Sequence, residues 1–205
     1  KLAALEKVAP AKPENPALVR EWENLQVYLR KAKFLHASYR PSDYMLEKIS
    51  QDIANAEQSL AAIRSGRPLP LILGEREEGY YSDNDRSFQP FLRYLPPAAA
   101  KGRPMPMIVY LHGYSPYLNL VNWADFPSNL VEFARTEGFC LVAPFGRSNT
   151  DFQGIGEQDV LNAMAEMEKR YSIDTDRIVL AGISMGGMGV WTIGAHHPDL
   201  FAGLL

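Results

Sequence analysis

The sequence predicts an α/β protein, with a mostly parallel sheet covered by helices on both faces and an N-terminal helical hairpin before it. The apolar runs at 107–111 and 139–143, and the run at 177–181 that is apolar after Arg177, are typical of strands buried on both faces of a parallel sheet. Helix-like segments alternate with these runs, which indicates crossover connections. Residues 1 to about 65 instead carry apolar side chains at helical spacing.

The N-terminal region contains two predicted amphipathic helices. The first begins at Asn15 and Pro16, a capping side chain followed by a ring suited to the first helical position. A break at Arg40-Pro41-Ser42-Asp43 caps the second. Apolar residues recur at steps of three and four in each helix: Leu18, Trp22, Leu25, Leu29 and Ala32, then Leu46, Ile49, Ile53, Ala56, Leu60 and Ile63. The two stripes can pack on each other as an antiparallel hairpin, or both can lie on a larger body.

A linker follows the helices at Ser65-Gly66-Arg67-Pro68-Leu69-Pro70, where glycine and proline interrupt regular structure. We therefore predict an appendage and linker over 1–70 and an α/β domain over 71–205. The appendage could serve as a lid, a dimer surface or a packing brace, and the sequence does not rank these roles.

The second region reads in order as strands and helices. A hairpin is expected around the turn Asp83-Asn84-Asp85, between short strands at 80–82 and 91–95. Helices are expected at 130–136, 159–171 and 185–195, between the buried strands and after them. Phe201-Ala202-Gly203-Leu204-Leu205 resembles the opening of a further strand, so we expect the sheet of this domain to be incomplete at its C-terminal side.

Composition excludes several classes of function. The 205 residues carry a net charge of -3 without a dominant basic run, which argues against a nucleic-acid surface. The single cysteine, Cys140, allows neither an internal disulfide nor a cysteine metal cluster. No segment reaches the ~18 consecutive apolar residues of a membrane span. We expect no cofactor and no metal. The opening KLAALEKVAP is too short and too charged for a secretory leader, and the sequence leaves the cellular compartment open.

The chemical signal is Gly182-Ile183-Ser184-Met185-Gly186, which has the pattern Gly-x-Ser-x-Gly. Ser184 directly follows a predicted buried strand and precedes a helix, so a sharp turn would hold its hydroxyl exposed and strained. A side chain at Gly182 or Gly186 would collide, because the strand and helix backbones nearly touch there. We predict that Ser184 is a nucleophile; the alternative is a glycine-rich packing turn.

A second element follows the first buried strand, at Leu111-His112-Gly113-Tyr114-Ser115. Acyl transfer requires two backbone N–H groups facing the oxyanion of the tetrahedral intermediate. We expect one of these N–H groups to be that of Met185, the residue after the nucleophile, and the other to be that of Tyr114. We call residues 111–115 the oxyanion loop.

These segments resemble the α/β-hydrolase superfamily. Within it, the sequence is similar to the branch of polyester depolymerase-like, feruloyl and acetyl-xylan esterase-like and prolyl-oligopeptidase-like serine hydrolases. Over roughly 78–205 the resemblance rests on the segments at 109–113, 143–147, 154–160, 176–187 and 197–201. It implies a serine hydrolase that cleaves carboxylic esters, with acyl groups on carbohydrate as one substrate class. An oligopeptidase-like peptidase and a non-catalytic scaffold acting as a binding or assembly module are the alternatives.

The resemblance also implies a triad acid and a histidine on loops after later strands, and this sequence ends before them. The histidines present offer no clear substitute: His196 and His197 would lie about 18 Å along a helix from Ser184, His112 belongs to the oxyanion loop, and His36 lies in the appendage. We therefore expect the remaining C-terminal part of the domain, in the same protein or a second chain, as a partner.

Several further residues are candidates with alternatives. Glu157 and Asp159 fall at a helix start, where negative charge complements the helix dipole. Tyr117 and Trp123 could line a substrate pocket, or their loop could bury its own aromatic rings. Arg147 could contact substrate or form a structural ion pair. We expect Trp191, two helical turns after Ser184, to lie in the core.

Overall fold

The computed structural model describes residues 5, 7–37, 42–123 and 125–205. Its helices are α1 (Pro16–Ala37), α2 (Asp43–Ser65), α3 (Ser128–Glu137), α4 (Ile155–Arg170) and α5 (Met185–His196), with a short 3₁₀ helix at Pro97–Lys101. Its strands are β1 (Gly74–Ser82), β2 (Ser87–Leu95), β3 (Met105–Leu111), β4 (Cys140–Pro144), β5 (Ile173–Gly182) and β6 (Gly203–Leu204). Arg40 and Pro41 of the predicted helix break, and 1–4 and 6 of the opening segment, lie outside the described residues.

Close contacts divide the chain into two compact units. The first comprises 1–70, 78–90 and 119–122, and the second comprises 71–77, 91–118 and 123–205. The division passes through β1 and β2. The organisation into domains at 1–70 and 71–205 stays a prediction.

The helices of the first unit begin and end as the capping residues predict. The Asn15 side-chain oxygen accepts from the Ala17 N–H at 3.0 Å, and α1 begins at Pro16. Ser42 Oγ accepts from the Met45 N–H at 3.3 Å at the start of α2. Gly66 ends α2 with φ of 70°, a left-handed conformation that glycine adopts without a steric penalty.

The apolar stripes of α1 and α2 pack on each other. They share one buried cluster, formed by Leu25, Tyr28, Leu29, Ala56 and Leu60, with Leu5 also in contact. This is the antiparallel-hairpin alternative of the two that the stripes allowed, and burial of the shared apolar face is the main force that stabilises such a pair.

A buried ion pair lies inside the same hairpin. Lys31 Nζ lies 2.9 Å from the Asp52 carboxylate, and both side chains are almost fully removed from solvent. Burial raises the pKa of Asp52 above its usual range, while the neighbouring Lys31 ammonium opposes that rise. Charged residues beside an apolar stripe do not follow the hydrophobic pattern, so the sequence pattern does not reveal this pair.

The sheet has the order β1-β2-β4-β3-β5-β6. β2 pairs antiparallel with β4, whereas the β4–β3, β3–β5 and β5–β6 pairs are parallel. β1 and β2 are neighbours joined by the turn at 83–86, as the predicted hairpin requires. The prediction of a mostly parallel sheet is confirmed.

The strand order also places helices on both faces. The chain passes from β3 to β4 in one direction across the sheet, then from β4 to β5 and from β5 to β6 in the other. Because parallel crossovers are right-handed, α3 covers one face and α4 and α5 cover the opposite face. No helix among the described residues is both long enough and apolar enough to span a bilayer.

Some boundaries differ from those predicted. The helix expected at 159–171 begins at Ile155, directly after Gly154, whose φ is 55°. The strand expected at 177–181 begins at Ile173, and a register irregularity opposite Met105 and Met107 accommodates its first part. The extension of β5 rests on pairing with β3, which apolar periodicity does not report.

Candidate active site

Register places the ends of β3 and β5 side by side. Val109 pairs with Leu180, and Leu111 at the end of β3 pairs with Gly182 at the end of β5. The helices that follow these strands lie on opposite faces of the sheet, so a crevice opens between the two carboxyl ends. Ligands of open α/β sheets bind at such a point.

Ser184 occupies a sharp turn between β5 and α5. Its φ is 56° and its ψ is -118°, a conformation that a residue with a side chain rarely adopts. The turn is fixed from both sides, since the Ile183 N–H donates to the Leu111 carbonyl at 3.3 Å and the Ser184 carbonyl accepts from the Met188 N–H at 3.1 Å. The Ser184 side chain is exposed.

The flanking glycines are required by close backbone contacts, as the motif predicted. A Cβ at Gly182 would lie 2.6 Å from the Gly186 carbonyl group. A Cβ at Gly186 would lie 2.1 Å from the Leu111 carbonyl oxygen. Neither contact can be relieved by rotating a side chain, because the atoms concerned belong to the backbone. The predicted collision at both positions is confirmed.

The loop after β3 lies directly against this turn. A Cβ placed on Gly113 would be 3.5 Å from the Ile183 carbonyl oxygen and 3.6 Å from Ser184 Cβ. Tyr114 is the next residue, and its side chain is 63 % exposed. The Ser184 turn and the loop after β3, which the sequence predicts to hold the nucleophile and an oxyanion donor, are therefore adjacent.

The two backbone N–H groups predicted as oxyanion donors, those of Met185 and Tyr114, follow Ser184 and Gly113 in the chain. Met185 is the first residue of α5, so its N–H has no intrahelical acceptor, and the positive end of the helix dipole lies there. Among the described residues, the Tyr114 N–H donates to no backbone carbonyl. These two groups remain the candidates for an oxyanion hole.

His112 is buried beneath the loop after β3. Its Nδ1 lies 3.0 Å from the Gly113 carbonyl oxygen, and its Nε2 lies 3.1 Å from the Phe145 carbonyl oxygen. Both ring nitrogens are thus engaged with backbone, which agrees with a structural role rather than that of a general base. A neutral imidazole has one N–H and donates to one of these carbonyls; with the proton on Nδ1 it holds the peptide group that carries the Tyr114 N–H.

The histidines at the end of α5 bind a carboxylate of α4. His196 Nδ1 lies 3.0 Å from Glu157 Oε1, and His197 Nε2 lies 2.9 Å from the same oxygen. Both histidines are at the opposite end of α5 from Ser184, as expected. His36 is an exposed residue at the end of α1.

The second acid considered in the sequence, Asp159, is buried in the second unit. Its carboxylate accepts from the Gly146 N–H at 2.9 Å and from Arg147 Nε at 3.0 Å. Arg147 therefore forms the structural ion pair, the alternative to a substrate contact. Glu157 and Asp159 bind different partners and do not form a pair of catalytic carboxylates.

The aromatic residues near the site differ in exposure. Tyr117 is 77 % exposed, whereas Trp123 is 5 % exposed and packs edge-on against Phe145 with ring centroids 5.6 Å apart. Trp123 thus matches the alternative of a loop that buries its own rings. The expectation that Trp191 lies in the core is wrong, since it is 75 % exposed. Residues 184, 188 and 191 lie on one face of the helix, and because Ser184 is exposed on that face, Trp191 is exposed too.

Other reactive groups are excluded on physical grounds. Burial raises the pKa of the Cys140 thiol to about 12, so almost no nucleophilic thiolate forms near neutral pH. Within the described part of the chain, no group of three or more His, Cys, Asp or Glu side chains could hold a metal ion.

The strand order and this turn are those of the α/β-hydrolase fold. Among solved structures, the fluorophosphonate-binding serine hydrolase F of Staphylococcus aureus matches with a TM-score of 0.54 and 17 % identity, over 64 % of this chain and 55 % of that one. At that identity, the likeness is one of fold.

Sequence comparisons indicate which proteins with this fold the chain resembles. The model of the prolyl oligopeptidase family matches residues 149–205. Dipeptidyl-peptidase 5 of Porphyromonas gingivalis is 32 % identical over 123 residues, which are 54 % of this chain and 18 % of that protein. The bifunctional acetylxylan esterase/xylanase XynS20E of Neocallimastix patriciarum is 37 % identical over 87 residues, which are 40 % of this chain and 12 % of that protein. The chain thus spans less than a fifth of the length of these two relatives.

Proposed function

We propose that this chain carries the nucleophile and the oxyanion hole of a serine hydrolase that cleaves carboxylic esters. The observation that carries the proposal is the exposed, strained Ser184 turn with Gly113 packed against it. Strain at a single exposed hydroxyl, held by glycines on both sides, is a device of active sites rather than of packing turns.

The proposed reaction proceeds through an acyl-enzyme. Ser184 Oγ attacks the ester carbonyl carbon and loses its proton to a histidine, and the carbonyl oxygen becomes an oxyanion that accepts from the N–H groups of Tyr114 and Met185. Collapse of this intermediate expels the alcohol, which takes the proton. Water then attacks the acyl-enzyme by the same route and releases the acid and the free serine.

We propose that the histidine and its acid come from polypeptide outside these 205 residues, in the same protein or in a second chain. His196 and His197 are bound to Glu157 at the far end of α5, and His112 has both ring nitrogens on backbone carbonyls. A working base must come within about 3 Å of the serine hydroxyl.

The substrate class that we favour is an acyl ester, including acyl groups on carbohydrate. The similarity to an acetylxylan esterase supports this choice. The similarity to a dipeptidyl-peptidase and to the prolyl oligopeptidase family supports the second candidate, a serine peptidase. Tyr117, which is exposed beside the oxyanion loop, is a candidate substrate contact.

Fluorophosphonate labelling of the full-length protein tests the proposal. We expect a covalent adduct in the natural protein and none in Ser184→Ala, while Ser50→Ala, which alters an exposed serine of α2, labels normally. Absence of labelling in the natural protein would contradict a serine hydrolase and favour a non-catalytic scaffold. Turnover of p-nitrophenyl acetate but not of a dipeptidyl p-nitroanilide would favour the esterase, and the reverse would favour the peptidase.

A further inference from the structure

The loop between β4 and α4, residues 145–154, holds an unusual concentration of strained backbone. Arg147, Ser148, Asp151 and Phe152 all have positive φ, at 60°, 76°, 53° and 52°. Side-chain-bearing residues rarely adopt such angles, and they persist only where surrounding contacts over-determine them.

Buried contacts hold the first half of the loop in place. The Asp159 carboxylate, whose side chain is fully buried, accepts from the Gly146 N–H at 2.9 Å and from Arg147 Nε at 3.0 Å. Thr150 Oγ1 donates to the Gly146 carbonyl at 2.6 Å. These bonds fix where the next residues project.

The second half of the loop is anchored under the site. Phe152 is completely buried, and its ring lies 5.0 Å from the His112 ring, centroid to centroid. A Cβ on Gly189 of α5 would lie 2.8 Å from Phe152 Cβ, so the helix that follows Ser184 packs closely on the same side chain. The loop is thus fixed in its first half by Asp159 and in its second half by packing against His112 and α5.

At its tip, the loop binds the backbone of the oxyanion loop. The Asn149 side chain forms two hydrogen bonds with Ser115: Nδ2 donates to the Ser115 carbonyl at 2.8 Å, and Oδ1 accepts from the Ser115 N–H at 3.3 Å. A side-chain amide that both donates to and accepts from one residue fixes that residue's orientation as well as its distance.

Tyr114 therefore lies between two anchored peptide groups. The carbonyl of the group before it, that of Gly113, lies 3.0 Å from His112 Nδ1 and accepts from it in the tautomer that carries the proton there. The group after it has its N–H, that of Ser115, held by Asn149. Fixing both peptide planes leaves the Tyr114 N–H little freedom to reorient.

We propose that Asn149 is a positioning residue that holds the Tyr114 N–H in the geometry of the oxyanion hole, an inference that rests on the proposed function of Ser184. Preorganised donors are effective because they need not reorient as charge develops on the substrate oxygen. Loss of the Asn149 contacts leaves the donor present and less well aimed, which weakens binding of the transition state while leaving the ground state almost unchanged.

The test compares Asn149→Ala and Asn149→Asp in the full-length protein with p-nitrophenyl acetate as substrate. Asp keeps an acceptor for the Ser115 N–H and loses the donor for its carbonyl. Gln153→Ala is the matched control, because Gln153 is exposed in the same loop and bonds there through its backbone. Removing a whole oxyanion donor costs ~10²–10³-fold in kcat, so we expect about a 10- to 100-fold loss in both Asn149 variants, with KM within about twofold and the control unchanged.

Two further readouts separate positioning from stability. The variants should bind a trifluoromethyl ketone more weakly by about the factor lost in kcat, and circular dichroism melting should show them folded. Wild-type kcat and ketone affinity in Asn149→Ala would overturn the inference, as would a loss that Gln153→Ala shares. If the natural protein neither reacts with fluorophosphonate nor turns over the ester, the proposed function itself fails, and that outcome is distinct from a reactive protein indifferent to Asn149.

Discussion

At the scale of single residues, the active-site candidate depends on where side chains are absent. Ser184 can adopt φ of 56° beside β3 because Gly182, Gly186 and Gly113 let three backbone segments meet. The strain at Ser184 is sustained by those contacts rather than by the serine itself. A methyl group added at one of these glycines should therefore reduce the reactivity of Ser184 more than a polar substitution at the edge of the site.

We expect Gly186→Ala to abolish fluorophosphonate labelling and to lower the free energy of unfolding by about 3 kcal/mol or more, because its Cβ would lie 2.1 Å from the Leu111 carbonyl oxygen. Gly187→Ala is the matched control, since its Cβ would meet nothing nearer than the Gly182 carbonyl oxygen at 3.7 Å. That variant should label normally and gain up to about 1 kcal/mol from helix propensity. Urea denaturation measures the free energy of unfolding of both variants, and the fluorophosphonate measures their labelling. Equal stability and equal labelling of the two variants would contradict this account of the turn.

The residues that the sequence could and could not identify differ in the range of their contacts. Ser184, Met185 and Gly186 follow one another in a local pattern, so a reader of the sequence can locate the turn. Asn149 binds Ser115 across 34 positions of sequence, and no periodicity or spacing reports such a pair. The prediction for Trp191 is wrong for a different reason. Its spacing of two helical turns from Ser184 places it on the same exposed face of α5.

At the scale of elements, α1 and α2 combine a predictable stripe with an unpredictable charge pair. Spacing and caps were enough to identify both helices. The Lys31–Asp52 pair lies beside the apolar stripe, and the hydrophobic pattern does not reveal it. Taking two charges out of water is costly, and the attraction between them only offsets that cost while both remain.

We expect Asp52→Leu to lower the free energy of unfolding by about 3–5 kcal/mol, because it removes the Asp52 carboxylate from the buried Lys31 ammonium. The double variant Lys31→Met with Asp52→Leu should return to within about 1 kcal/mol of the natural protein or exceed it. Denaturant titration of all three proteins provides the comparison. A double variant as unstable as Asp52→Leu would mean that the pair stabilises the hairpin beyond its burial cost.

The strands were predicted better in the middle than at the ends. The apolar runs at 107–111 and 139–143 lie within or next to β3 and β4, because burial on both faces demands continuous apolar sequence. The first half of β5 carries Asp174, Asp176 and Arg177, so its strand character rests on pairing rather than on hydrophobicity.

At the scale of the whole molecule, the sequence predicts two domains, at 1–70 and 71–205. Contacts place 78–90 and 119–122 with the first unit, so the boundary in space is less simple than the linker at 65–70 suggests. Whether α1 and α2 form a cooperative unit of their own is a question about local unfolding free energies.

Hydrogen exchange in Asp52→Leu answers that question. If the helical hairpin is an independent cooperative unit, the variant loses protection at the amides of α1 and α2 while β3 and β4 exchange as in the natural protein. The double variant with Lys31→Met serves as the control and should restore protection in both helices. An equal loss of protection in the helices and the strands would show one cooperative unit and contradict the two-domain prediction.

The claim on which the whole account depends is that Ser184, Tyr114 and Met185 act together on one carbonyl. The most direct measurement is a crystal structure of the full-length protein after reaction with a phosphonate ester. We predict a covalent bond from Ser184 Oγ to phosphorus, with the phosphonyl oxygen about 2.7–3.1 Å from the backbone nitrogens of both Tyr114 and Met185. Attachment at another residue, or a phosphonyl oxygen turned away from those two nitrogens, would contradict it.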